Sequence, residues 1–257
     1  MTSKLFQQLK SENRAALVAF VSCGDPTIEF SEKLIERICA AGADIVELGV
    51  PFSDPMADGP VIQEASTAAL RNGMSLRLLF DQLENIRQDV HIPIILMGYL
   101  NPIMQYGFEA FCKKCVQTGV DGMIIPDLPF ADYMADYKAI ADQYNLKMIM
   151  LITPETSEER IRLIDEHTSG FIYMVSSAAT TGAQQSFNEQ KQAYFHRING
   201  MGLRNPRLVG FGISNKATFE AAAANSSGAI IGSKFIQLLK NEPIAVAVDK
   251  LLAALQE

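Results

Sequence analysis

Short apolar segments alternate with longer amphipathic segments along the whole chain. Apolar runs of roughly four to eight residues are typical of buried strands, and the segments between them repeat apolar positions at helical spacing. The predicted strands are Leu17–Ser22, Ile45–Val50, Ile92–Tyr99, Met123–Pro126, Lys147–Ile152, Phe171–Val175, Arg207–Gly210 and Ala229–Ile231. Helices are predicted near 29–40, 61–70, 75–88, 105–118, 133–143, 157–166, 189–199, 214–223 and 243–255.

Two segments, AGADIVELG at Gly42 and TGVDGMIIPD at Gly119, repeat one order: glycine, apolar residue, aspartate, apolar strand. Dividing 257 residues among eight strands gives about 32 residues per strand–helix unit. The alternation predicts an α/β fold, a closed (β/α)8 TIM barrel that forms a single domain over 1–257. An extra N-terminal helix is predicted at 2–12, and a short extra helix after strand eight.

Composition and charge narrow the classes of partner. The chain is 48% hydrophobic, its formal net charge is −7 and its pI is near 5.1. This acidic balance argues against nucleic acid or an anionic membrane as the main partner, but permits a phosphorylated small molecule bound by backbone amides. Neither a signal peptide nor an apolar stretch of about 18–20 residues is apparent, so a cytoplasmic protein is expected.

The stretch from Asp44 to Leu70 carries the most informative polar residues. Glu47 lies in the middle of an otherwise apolar strand, and Asp58 lies in the turn-rich segment that follows. Because barrel enzymes place reactive groups at the carboxyl ends of strands, these two carboxylates are candidates for acid and base catalysis. The alternatives are that Glu47 forms a salt bridge inside the barrel and that Asp58 caps the next helix.

Other kinds of catalytic centre find little support. No serine or cysteine has an adjacent histidine, and His91, His167 and His196 fall at strand starts or on helices. No cluster of potential ligands has the spacing of a metal site, so no metal is expected. Cys112 and Cys115 form a C-x-x-C pair within a helical pattern, for which packing is the default interpretation.

Glycine-rich segments after strands seven and eight predict a phosphate site. Gly210-Phe211-Gly212-Ile213-Ser214 follows strand seven, and Gly232-Ser233-Lys234 follows strand eight. Barrel phosphate sites are built from these two loops and the N-terminus of a short extra helix, where glycine lets backbone amides approach the anion.

The connection Ser176–Glu189 after strand six is long and consists mostly of small or polar residues. This composition fits a mobile lid over the site, or alternatively an ordinary surface loop.

The stretch ELGVPFSDPMADGPVIQEA closely resembles the signature of the tryptophan synthase alpha subunit family, and GFGIS at 210–214 and Gly232-Ser233 resemble its phosphate loops. The resemblance covers essentially the whole chain. It implies a lyase that cleaves indole-3-glycerol phosphate to indole and glyceraldehyde 3-phosphate. It also implies no cofactor in this chain, and a beta subunit partner that carries pyridoxal phosphate in an alpha2-beta2 complex.

The resemblance assigns roles to individual residues. It implies that Glu47 is the general acid–base and that Asp58 stabilises positive charge at the indole nitrogen. The implied substrate-binding residues are Phe20, Tyr99, Ile124, Tyr173 and Thr181, and the implied phosphate-binding residues are Gly182, Phe211, Gly212, Gly232 and Ser233.

The predicted lid departs from the family pattern Ser-Arg-x-Gly-Val-Thr-Gly, since Ser177 replaces the arginine and Ala179 the first glycine. We therefore expect a lid that closes only with ligand and partner. Two further functions remain open on the sequence: a stand-alone lyase that releases indole, and a catalytically silent, phosphate-binding regulatory subunit.

Overall fold

Nine parallel strands form one sheet that curls into a nearly closed barrel. The computed structural model describes residues 2–175, 189–210 and 212–256. The strands are β1 Ala16–Ser22, β2 Ile45–Gly49, β3 Ile94–Met97, β4 Gly122–Ile124, β5 Lys147–Ile149, β6 Leu151–Ile152, β7 Ile172–Val175, β8 Arg207–Gly210 and β9 Gly228–Ile231. The sheet order is β5-β4-β3-β2-β1-β9-β8-β7-β6. Its two ends, β5 and β6, are the halves of the predicted fifth strand, so the predicted (β/α)8 barrel is confirmed.

Helices follow the strands around the outside of the barrel. They are α1 Thr2–Ser11, α2 Phe30–Ala40, α3 Pro60–Arg71, α4 Leu76–Gln82, α5 Leu100–Tyr106, α6 Phe108–Gln117, α7 Phe130–Asp132, α8 Lys138–Gln143, α9 Glu158–His167, α10 Glu189–Gly200, α11 Lys216–Ala223, α12 Ser233–Asn241 and α13 Ile244–Gln256. A π-helical turn joins α7 to α8. Within the described residues, no helix combines the length and apolar character that a membrane span requires.

Two predicted helices were wrong in their extent. The helix expected over 75–88 ends at Gln82 and is followed by a separate 3-10 turn at Ile86–Gln88. The helix expected over 105–118 is broken at Gly107, whose φ of +93° lies in the region that favours glycine. A helix that the sequence did not predict, α5, precedes the break.

Alternating side chains of the strands build two apolar cores. Val18, Ile45 and Ile124 point into the barrel, and Val46 and Leu48 pack between the sheet and the helices. This alternation is the period of two that a pleated strand imposes, and both faces are apolar because helices cover the sheet. Glu47 shares the inward face with Ile45, so its carboxylate lies inside the barrel.

The predicted N-terminal helix, α1, closes the end of the barrel at which the strands begin. Phe6 and Leu9 are buried in the interior core, and the Phe6 ring meets the Phe171 ring edge-on with centroids 6.4 Å apart. Burying one such side chain stabilises the fold by roughly 1.5–3 kcal/mol. Helix α1 therefore closes the interior of the barrel at this end, and a cavity that reaches the interior must open at the other.

An aspartate anchors the start of β2 to β1. Asp44 Oδ2 accepts the Leu17 N–H at 2.8 Å, and the Arg14 guanidinium donates to both carboxylate oxygens at 2.8 and 2.7 Å. Asp44 is only 5% exposed. The pairing satisfies a buried carboxylate, which would otherwise be costly.

The second copy of the repeated sequence builds the same anchor two units along. Asp121 Oδ2 accepts the Ile94 N–H at 3.0 Å and forms an ion pair with Arg87. The Gly119 carbonyl accepts the Arg87 Nε–H at 2.9 Å. In both copies of the sequence repeat, the aspartate therefore joins neighbouring strands at the end of the barrel where the strands begin.

Arg87→Met should lower the free energy of unfolding by about 3 kcal/mol, because it removes the cation from a mostly buried carboxylate and the guanidinium donor from three backbone carbonyls. Arg37→Met is the matched control, since its ion pair with Asp249 spans 3.8 Å between largely exposed side chains. The control should change stability by less than about 1 kcal/mol. Urea unfolding measures both, and equal effects would contradict the role assigned to Arg87.

Candidate active site

A cavity at the carboxyl ends of the strands contains both predicted carboxylates. Glu47 enters it from the middle of β2, directly across from Phe20 on β1. Asp58 enters from the loop between β2 and α3. The cavity is lined by Phe20, Glu47, Asp58, Ile62, Met97, Tyr173, Gly212, Ile213, Ile230, Gly232 and Ser233. Seven of the twelve residues predicted for the site therefore line one cavity, and its lining is mostly apolar around the two acids.

Glu47 is a carboxylic acid held in an apolar environment. Its side chain is 0% exposed, and neither carboxyl oxygen has a hydrogen-bond partner among the described residues. Burial raises its pKa to about 8, and the nearby negative charge of Asp58 adds to the rise. The alternative of an interior salt bridge is wrong within the described part of the chain, because no lysine or arginine there pairs with Glu47.

Asp58 is a carboxylate held by one tyrosine. Tyr99 donates its O–H to Asp58 Oδ2 at 2.8 Å, and the same oxygen of Tyr99 accepts the Ala57 N–H at 3.0 Å. Burial raises the pKa of Asp58 to about 6, and the hydrogen bond from Tyr99 opposes that rise. The alternative that Asp58 caps α3 is wrong, because the N-cap position is Gly59 and no side chain caps the helix.

The two carboxyl groups differ in protonation near neutral pH. With a pKa of about 8, Glu47 carries its proton at pH 7, whereas Asp58, at about 6, is ionised. Two carboxyl groups whose pKa values are separated by their environments can divide the work of a general acid and of a stabilising anion. Within this cavity, Glu47 can therefore donate a proton to a ligand, and Asp58 can stabilise a positive charge on it.

The loop that carries Asp58 is pinned by residues that the sequence did not reveal. Ser66, on the buried side of α3, accepts the Phe52 N–H and donates to the Phe52 carbonyl, both at 2.8 Å. The Phe52 ring stacks on Tyr99 with centroids 5.2 Å apart. The sequence holds one signal of this contact. Ser66 shares the buried face of α3 with alanines, and a buried polar residue needs a hydrogen-bond partner. Tyr99 also lines the adjoining cavity that includes Asp58.

The glycines of the predicted phosphate site lie beside the carboxyl groups. Gly212 has a φ of +83°, and a Cβ on Gly232 would lie 3.3 Å from the Phe20 ring. Ser233 begins α12, so the first amides of that helix lack partners within the helix, and this helix end lines the cavity. A helix N-terminus with glycines around it suits an anion. The helix expected at 214 begins two residues later, at Lys216, with a capping box at Asn215.

The remaining predicted residues are placed differently. Ile124 is fully buried at the end of β4 in the interior core and does not line the cavity. Thr181, Gly182 and Phe211 lie outside the described residues, as does the predicted lid up to Glu189, which begins α10.

The carboxylates do not assemble as metal ligands in the part of the chain that the structure describes. No group of three or more His, Cys, Asp or Glu side chains there could hold a metal ion. Cys112 and Cys115 are both buried on α6, where burial raises the pKa of each thiol.

Comparisons with known proteins agree over nearly the whole chain. The family described as "Tryptophan synthase alpha chain" matches residues 6–257. The tryptophan synthase alpha chain of Parabacteroides distasonis is 72% identical over 256 residues, which is 99% of this chain and 98% of the relative. That of Phocaeicola vulgatus is 60% identical over 256 residues, 99% of each chain.

Solved structures give the same result for the fold. The tryptophan synthase subunit alpha of Legionella pneumophila is 32% identical with a TM-score of 0.89, over 99% of this chain and 96% of that one. A structure of Mycobacterium tuberculosis tryptophan synthase is 30% identical with a TM-score of 0.90, over 99% and 96% of the two chains. Taken with the sequence matches, these likenesses show that the chain belongs to the tryptophan synthase alpha chain family.

Proposed function

We propose that this chain cleaves indole-3-glycerol phosphate to indole and glyceraldehyde 3-phosphate, the alpha reaction of tryptophan biosynthesis. The observation that carries the proposal is a fully buried, unpaired Glu47 that shares one cavity with an ionised Asp58. An isolated buried carboxylate of this kind is costly to the fold, and such groups cluster at functional sites. Family membership supplies the substrate.

In the proposed mechanism, protonated Glu47 gives its proton to ring carbon 3 of the indole. The ring nitrogen then carries a positive charge, which the Asp58 carboxylate stabilises. The ionised Glu47 next accepts the proton of the glycerol hydroxyl, while the bond between ring carbon and side chain breaks and its electrons restore the indole ring. The products are indole and the aldehyde, and Glu47 ends protonated as it began. A group with a pKa of about 8 suits both steps near neutral pH.

The walls of the cavity fit the two ends of this substrate. Phe20, Met97 and Ile230 present apolar surface for an indole ring, and Tyr173 stands among them. Tyr173 has room only because residue 210 is glycine, since a Cβ there would lie 2.3 Å from the tyrosine ring. We assign the phosphate to Gly212, Gly232 and Ser233, which Phe20 borders at Gly232, and propose that Gly182, Phe211 and Thr181 complete the site. Ile124 would support the indole end from below.

The family also bears on partners and location. Solved relatives include the tryptophan synthase of Mycobacterium tuberculosis, and we propose that this chain joins a beta subunit in an alpha2-beta2 assembly. Pyridoxal phosphate would belong to the beta subunit, and this chain would use no cofactor of its own. We further propose a single domain over 1–257 and a cytoplasmic location.

An indole-release assay on the pure chain, with and without a beta subunit, tests the function. We expect indole from indole-3-glycerol phosphate in both cases, with faster release when the beta subunit is present. An equal rate of indole release with and without the beta subunit would indicate a stand-alone lyase. The absence of indole in both cases would indicate a silent regulatory subunit and overturn the proposal.

Gly232→Val should weaken binding of glycerol phosphate at least tenfold, because a Cβ there would lie 3.3 Å from the Phe20 ring and the larger side chain would crowd the cavity beside the N-terminus of α12. Isothermal calorimetry measures the affinity. The matched control is Gly200→Val at the end of α10, where an added Cβ meets no atom within 4 Å. Unchanged affinity in a folded Gly232→Val protein would move the phosphate to another part of the site.

A further inference from the structure

A large cavity, here called the basal cavity, lies at the opposite end of the barrel from Glu47. It has a volume of about 790 Å³ and opens between α1 and the segments that lead into β5, β7, β8 and β9. Small-molecule sites in proteins are usually about 300–1,000 Å³ in volume. The basal cavity is therefore large enough for a metabolite, and nothing in the proposed reaction uses it.

The lining of the basal cavity is cationic in an acidic protein. Among the described residues, five of those that line the cavity are basic, namely Lys10, Arg14, Lys147, Arg204 and Arg207, and none is an aspartate or a glutamate. The chain as a whole carries a formal charge of −7. A concave surface of one sign attracts ligands of the opposite sign, so the cavity favours anions.

One of the five cations is neutralised by an ion pair, and a second already donates to backbone carbonyls. Arg14 forms an ion pair with Asp44 at 2.7 Å, and Arg204 donates to the backbone carbonyls of Asp165 and Glu166. The other three, Lys10, Lys147 and Arg207, form no ion pair with a described residue. Asp165, which does not line the cavity, acts electrostatically on Arg207, so the local excess of positive charge is carried chiefly by Lys10 and Lys147.

Among the cations of the basal cavity, Arg207 is the one whose hydrogen bonding is least complete. Its Nη2 donates to Asn199 Oδ1 at 3.0 Å, but its Nε is buried and has no acceptor among the described residues. Burial lowers the pKa of the guanidinium. A buried donor left unsatisfied costs roughly 1–3 kcal/mol, and an oxyanion is the acceptor that a guanidinium fork fits best. The Ser227 hydroxyl also lines the cavity and accepts the backbone N–H of Arg207 at 3.4 Å.

We propose that the basal cavity is a second anion site, which binds a small molecule with at least two negative charges, such as a phosphorylated metabolite. Arg207 donates to the anion, and Lys10 and Lys147 supply the remaining charge. The site is separated from the candidate active site by the packed interior of the barrel, so the two can be occupied together.

Calorimetric titration with inorganic pyrophosphate at low ionic strength tests this site. Since pyrophosphate can also enter the candidate active site, the titration is run on the wild type, on Gly232→Val and on Gly232→Val combined with Arg207→Gln. We expect Gly232→Val to retain one saturable site and the double variant to lose it, with affinity reduced at least tenfold. Loss of all binding in Gly232→Val alone would overturn the proposal.

Lys10→Gln gives a test that does not depend on how Arg207→Gln folds, because Lys10 is exposed on α1. In the Gly232→Val background it should weaken pyrophosphate several-fold and leave the melting temperature unchanged. Lys4→Gln is the matched control, an exposed lysine on the same helix that does not line the cavity. Equal affinities in the Lys10 and Lys4 variants would contradict the site.

Discussion

Glu47→Gln is expected to reduce indole release by about 10²–10⁴-fold while preserving the fold. A neutral amide of the same size fits the buried position but can neither give a proton to the ring carbon nor accept one from the hydroxyl. The size of the loss is the usual contribution of a general acid–base group. Steady-state kinetics on the variant measure it, with Glu12→Gln, an exposed residue just after α1, as the control. Near-normal turnover in folded Glu47→Gln protein would exclude Glu47 from the chemistry.

The same substitution should change the pH dependence of stability. The pKa of Glu47 rises from 4.5 to about 8 on folding, so the folded state holds the proton more tightly. Its contribution to stability is fully present below pH 4.5 and is lost as the pH rises through about 8. Ionised Glu47 then destabilises the fold by up to about 5 kcal/mol.

Glu47→Gln should therefore be more stable than the wild type at pH 9, and the difference should shrink towards pH 5. Thermal unfolding between these pH values measures the effect. The stability of the wild type relative to the variant should fall between pH 5 and pH 9. If it does not fall, Glu47 is solvated or paired in solution. Activity and stability would thus move in opposite directions at one residue, as expected where a costly buried group is retained for function.

Asp58→Asn is expected to lower kcat by about 10²–10³-fold, the usual cost of removing one group that stabilises transition-state charge. The amide keeps the shape of the side chain and its contact with the Tyr99 hydroxyl, but it loses the negative charge that balances the indole nitrogen. Binding of glycerol phosphate should be retained, because the phosphate is assigned to Gly212, Gly232 and Ser233 rather than to Asp58. Asp54→Asn, in the same loop but exposed, is the matched control. If both variants lose equal activity, the loop conformation rather than the Asp58 charge is responsible.

Tyr99→Phe tests how the hydrogen bond from Tyr99 affects the ionisation of Asp58. Removing the hydroxyl removes the hydrogen bond that lowers the pKa of Asp58, so that pKa should rise above about 6. The acidic limb of the pH–rate profile should shift to higher pH, because a higher pH is then needed to ionise Asp58. An unchanged limb would assign it to another group.

Most of the barrel could be predicted from the sequence, because glycines and aspartates mark the start of several strands. The β8 strand was predicted with its observed bounds, Arg207–Gly210. The failures lie where tertiary structure decides the outcome. The helix α5 was not predicted, and Pro102 falls in its first turn, where proline is tolerated. Gly107 is compatible with a helix by propensity alone, and only its left-handed conformation breaks it.

The candidate site could be predicted only in part. Glu47 is conspicuous because a charged residue interrupts an apolar strand. The link between Tyr99 and Asp58 joins residues 41 positions apart, and no local pattern encodes that contact. The same is true of Ser66, which holds Phe52 across a turn. Sequence patterns indicate which residues reach the end of the barrel, whereas the partner of each side chain depends on how the loops pack.

The aspartate anchor at the start of β2 has a consequence at the far end of that strand. Asp44 lies three residues before Glu47, a distance of about 10 Å along an extended chain. A slip of β2 by one residue past β1 would turn Glu47 outward into the helix layer and place Val46 or Leu48 in the cavity. Damage to Asp44 would then resemble damage to the catalytic centre in a genetic screen, and inactivating alleles are expected at both ends of this strand.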